Sequence, residues 1–60
     1  MKRVIINKDL DLNIGDFNND IFLRLPSGER FVYLNNINKK SNIKIEVKEN
    51  AILHLSILSI

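Results

Sequence analysis

Cysteine is absent from this chain, which removes disulfide staples, thiolate metal centres and sulfur ligands for an iron–sulfur cluster. Histidine occurs once, at His54. A transition-metal site therefore has a single imidazole to draw on, and acid–base chemistry near neutral pH has a single ordinary carrier. No apolar run approaches the roughly 20 residues that span a bilayer. The basic start "MKR" is followed by an apolar run too short for a secretory leader, which predicts a cytoplasmic protein without a membrane partner. Ser27, Ser41, Ser56 and Ser59 lack the G-x-S-x-G context of an activated serine, and there is no glycine-rich phosphate loop. The expectation is a protein that is not an enzyme, with no catalytic residue, no cofactor and no bound metal.

Glycine and proline are also scarce, at two and one, whereas asparagine occurs nine times. Asn tolerates the left-handed backbone region better than other non-glycine residues, so it is expected to take many of the turn positions. The apolar share is 45%, with ten Ile and one Ala, and β-branched side chains favour the pleated surface of a strand. Residues 1–60 suffice for one small domain. A chain of this length buries only about 60% of the surface its unfolded form exposes. Disulfides, a metal or oligomerisation usually make up such a deficit, and the composition leaves oligomerisation.

Period-two alternation runs through most of the sequence. In "DLDLNI" (9–14), Leu10, Leu12 and Ile14 alternate with Asp9, Asp11 and Asn13; in "IKIEVK" (43–48), Ile43, Ile45 and Val47 alternate with Lys44, Glu46 and Lys48. Both read as half-buried strands. "RVIIN" (3–7) reads as a first strand, and "IFLRL" (21–25) and "RFVYL" (30–34) flank Pro26-Ser27-Gly28-Glu29, which predicts a β-hairpin. Loops are expected at 15–20, 35–42 and 49–50. In "AILHLSILSI" (51–60), a strand collects Ala51, Leu53, Leu55 and Ile57 on one face, while a helix scatters the polar residues. The expected fold is all-β, a small module of about six short strands, either β-solenoid-like, stacked sheets or a small barrel, completed by oligomerisation.

Two strings suggest chemistry. Asp9, Asp11 and Asn13, followed by Asp20, have the spacing of a calcium loop, but Gly15 falls one position late and the bidentate Glu is missing. Strand alternation instead puts these carboxylates on a solvated face. The net charge is +2 with an isoelectric point near 9.2, and Arg24, Arg30, Phe31, Tyr33, Lys39 and Lys40 interleave cations with aromatics as single-strand binders do. A small β-barrel binding nucleic acid through these residues is the alternative reading. Glu29, Glu46 and Glu49 among the cations favour a solvated face of mixed sign.

Ile45, Val47, Glu49, Asn50, Ala51, Leu53 and Leu55 form an alternating strand, a polar corner, a small residue and a second alternating strand. On these residues, the segment 43–59 resembles a β-helix rung of the Suf-type iron–sulfur cluster scaffold family. The resemblance implies a β-solenoid-like architecture and a remnant or accessory of cluster assembly, with no functional residue carried over. The leading expectation is a non-catalytic self-association or protein-interaction module. Its partner would be itself, as a dimer or trimer, or another protein. Leu53, Leu55, Ile57, Leu58 and Ile60 would build the interface, the first three completing the core, because nothing in this terminal strand blunts its edge with Lys or Pro.

Overall fold

A computed structural model describes residues 1–58. It contains six strands and one short helix: β1 (Lys2–Ile5), β2 (Leu10–Asn13), a 3-10 turn η1 (Ile14–Phe17), β3 (Asp20–Leu25), β4 (Glu29–Asn35), β5 (Asn42–Val47) and β6 (Ile52–Leu58). Odd and even strands separate into two three-stranded parallel sheets, in the orders β1-β3-β5 and β2-β4-β6. Each consecutive pair of strands is thus one coil with a strand in each sheet. Three such coils stack into a short β-solenoid, and no barrel closes among the described residues.

The alternating segments become strands as expected, and the fold is all-β. The hairpin predicted at 21–34 does not form. β3 pairs with β1 and β5, and β4 with β2 and β6, all in parallel, so Pro26-Ser27-Gly28 carries the chain across the core from one sheet to the other. A turn of this composition reverses the chain equally well in either arrangement. The choice is made by the inward rows, since Leu25 and Val32 face each other's side of one core rather than lying side by side on one sheet. The first strand spans Lys2–Ile5 rather than 3–7, and β3 starts one residue earlier than expected, at Asp20.

Corners are turned by the residues that tolerate positive φ. Asn18, Asn19, Asn36 and Asn50 have φ of 54°, 59°, 62° and 69°, and Gly28 has 83°. Every non-glycine residue in the left-handed region, among those described, is therefore an asparagine, whose short side chain bonds locally and lowers the usual cost. The corners also bond to one another between coils. Asn36 Nδ2 donates to Asn13 Oδ1 at 2.9 Å, and the Asn42 amide donates to the Asn19 carbonyl at 2.7 Å.

The core lies between the sheets. Ile6, Ile14, Ile21, Leu23, Leu25, Val32 and Leu34 are fully buried, and five of these seven belong to the second coil. Val4, Leu10, Leu12, Phe17, Ile37, Ile43, Ala51 and Leu53 pack around them.

Candidate interaction surface

The third coil carries similarly apolar inward rows to the second but, among the described residues, has no coil above it. Register makes the comparison direct. Leu23 is beside Ile45 and Leu25 beside Val47; Val32 is beside Leu55 and Leu34 beside Ile57. The four second-coil residues are 0% exposed, whereas Ile45, Val47, Leu55 and Ile57 are 38%, 42%, 37% and 57% exposed. The result is an apolar strip spanning both sheets at one end of the stack, with a backbone edge on either side.

The hydrogen-bonding pattern shows which backbone groups that edge offers. The Asn42 amide donates to Asn19 at 2.7 Å and the Lys48 amide to Leu25 at 3.0 Å. Because successive residues of a strand turn their amides to opposite sides, Ile43, Ile45 and Val47 present theirs to the free edge. On β6, the Ile52 amide donates to Gly28 at 2.9 Å, so Leu53, Leu55 and Ile57 present theirs likewise. The residues with exposed apolar side chains are thus also the ones with unclaimed backbone donors.

Of the predicted interface, Leu53 is half-buried against the core, and Leu55 and Ile57 face inward but stay open. Leu58 lies on the outer row of β6, 54% exposed, and Ile60 lies outside the described residues. Alternation predicts Ile45 and Val47 on the inward row, where they lie, yet they stay exposed. Alternation reports the direction of a side chain and not whether a further layer covers it.

The outer faces hold the polar candidates. On the first sheet, Arg3, Phe22 and Lys44 form one row, with the Arg3 guanidinium 5.7 Å from the Phe22 ring centre. In the next row, Glu46 Oε1 lies 3.1 Å from both Arg24 Nε and Lys48 Nζ. On the second sheet, His54 Nε2 meets Glu29 Oε2 at 2.6 Å, and the imidazole stacks on Phe31 with ring centres 4.4 Å apart and planes 12° apart. The Arg24–Glu46, Glu29–His54 and Phe31–His54 contacts tie the second coil to the third, and Arg3 over Phe22 ties the first to the second.

The nucleic-acid candidates are not brought together. Arg24 is on the outer face of the first sheet, and Phe31 and Tyr33 are on the outer face of the second. Arg30 turns inward at a corner, with Nη1 donating to the Glu29 carbonyl at 2.9 Å. Lys39 and Lys40 sit in the connection from β4 to β5. The neighbours of Phe31 and Tyr33 include Asp9, Asp11 and Glu29, an acidic surrounding. The calcium-like string is occupied by structure as well: Asp9 Oδ1 accepts from the Phe31 amide at 2.8 Å, Asp11 Oδ1 accepts from the Asn35 side chain, and Asn13 Oδ1 accepts from the Gly15 amide at 3.0 Å. Among the described residues no three His, Cys, Asp or Glu side chains converge as a metal site.

No family model, no curated protein and no solved structure matches this chain.

Proposed function

We propose that this chain is a non-catalytic interaction module that binds through the open end of its third coil, where β5 and β6 together accept two strands of another β-coil. The observation that carries this reading is the exposure of Ile45, Val47, Leu55 and Ile57 at positions that are sealed one coil earlier. Free parallel edges invite further strands, and strand addition joins main-chain hydrogen bonding to side-chain packing in a single docking event. A role beside iron–sulfur cluster assembly is the process implied by the resemblance of residues 43–59. With no cysteine in the chain, that role would be one of docking rather than of cluster ligation. Nucleic-acid binding has less support, because its cations and aromatics are dispersed over four places and the aromatics face carboxylates.

Amide hydrogen exchange on progressively diluted protein tests the reading. In the dilute state, the amides of Ile43, Ile45, Val47, Leu53, Leu55 and Ile57 should exchange rapidly, while those of Asn42, Lys48 and Ile52 stay slow. Slow exchange of the first group at every dilution would show that the edge is already covered within one chain and would overturn the proposal.

A further inference from the structure

Resting on that reading, we infer that the occupant of the open end is a second copy of this chain, related by a two-fold axis that sets β5 antiparallel to β5. The outer row of β5 reads Asn42, Lys44, Glu46 and, just beyond it, Lys48. Antiparallel pairing centred on Ile45 places Lys44 opposite Glu46 of the second copy, and Glu46 opposite Lys44 of the second copy, so both charge pairs are attractive. The same register opposes Ile43 to Val47 and Ile45 to itself on the inward side. These residues present their amides to the free edge, so Ile45 exchanges hydrogen bonds with its own counterpart and the Lys–Glu pairs fall at the closer, non-hydrogen-bonded positions.

The two-fold also brings β6 against β6, whose outer row of Ile52, His54, Ser56 and Leu58 holds no carboxylate, lysine or arginine to oppose it. Leu55 and Ile57 then lie under the partner's inward row. Head-to-tail stacking, with β1 and β2 of one copy on β5 and β6 of another, fits less well. In the register that continues the ladder, it extends the row Arg3, Phe22, Lys44 with another Arg3, placing like charges side by side. A two-fold interface closes on itself, whereas head-to-tail contact propagates.

Sedimentation equilibrium over a range of concentrations tests the assembly, and charge reversal tests the register. Wild type should reach a limiting mass twice the 7.0 kDa of one chain. Lys44→Glu alone should weaken the dimer about tenfold, because two opposed pairs change from unlike to like charge. Glu46→Lys alone should weaken it to a comparable degree. Mixing the Lys44→Glu chain with the Glu46→Lys chain should restore wild-type affinity, since every opposed pair is again attractive. Circular dichroism of each variant confirms that it is folded. A polymer or a trimer overturns the two-fold inference, and so does a dimer indifferent to the reversals or not rescued by mixing. A monomer whose edge amides exchange rapidly overturns the second copy as occupant and leaves the docking surface standing. A monomer with protected edge amides overturns both.

Discussion

The second and third coils carry nearly the same inward side chains, yet one is sealed and the other open. Leu23 and Ile45 are neighbours in one column, as are Val32 and Leu55. The first member of each pair is 0% exposed and the second is more than a third exposed. Burial in a stacked fold is set by position in the stack as much as by residue type, because each coil depends on its neighbours for cover. What distinguishes the open end is that no further coil lies over it among the described residues, and that exposure is the ground of the proposed docking role.

Substitutions separate the two coils. The largest effect is expected for Leu23→Ala, which empties a fully enclosed site and should cost about 3 kcal/mol by urea unfolding, most of the roughly 5 kcal/mol available to so small a domain. Ile45→Ala in the same column should cost about 1 kcal/mol in dilute protein, since much of its surface already meets water. Equal losses at the two sites would show that position in the stack does not govern what an apolar residue contributes. An Ile45→Ala loss that grows with protein concentration would show that a second molecule supplies its cover.

The corners give the next pair. Gly28→Ala forces a Cβ into a φ of 83°, at 3.3 Å from the movable Arg30 guanidinium, and should cost about 1.5 kcal/mol. Asn50→Ala at 69° should cost about 1 kcal/mol, whereas Asn50→Gly should be close to neutral. The smallest effect is expected for His54→Ala. Removing an exposed ring that stacks on Phe31 and meets Glu29 should cost about 0.5 kcal/mol, read as faster amide exchange in β6 than in β4.

Alternation made the strands legible, and the abundance of asparagine pointed to the corners, where it holds four positions at positive φ, because both signals are local. Pairing was not legible. Leu10 lies beside Val32, 22 residues on, and Glu29 beside Ile52, 23 residues on, whereas Lys2 lies beside Ile21, 19 residues on. Unequal coil lengths blur the self-similarity that announces a solenoid. Pro26-Ser27-Gly28 has the chemistry of a hairpin turn, and only the distant partners of β3 and β4 show that it crosses the core. The cluster of Arg30, Phe31 and Tyr33 dissolved for a related reason, since alternation sends Arg30 to one side of β4 and the aromatics to the other. The open strip was half legible: Leu55 and Ile57 were picked out by their density of apolar neighbours, while Ile45 and Val47 looked like any interior row.

The near-constant separation of paired residues also shapes how the chain reaches this state. Every ladder joins segments about twenty residues apart, so every closure carries a similar entropic cost, which grows only with the logarithm of loop length. Neither sheet can zip from a tight turn, because among the described residues no two strands adjacent in sequence are partners. Folding should therefore wait on one such closure, most productively the one that sets β3 and β4 against a neighbouring coil, and then add the remaining coil with a smaller barrier. The expected signature is slow, single-exponential folding for so short a chain, in the range of non-local β proteins rather than of helical bundles.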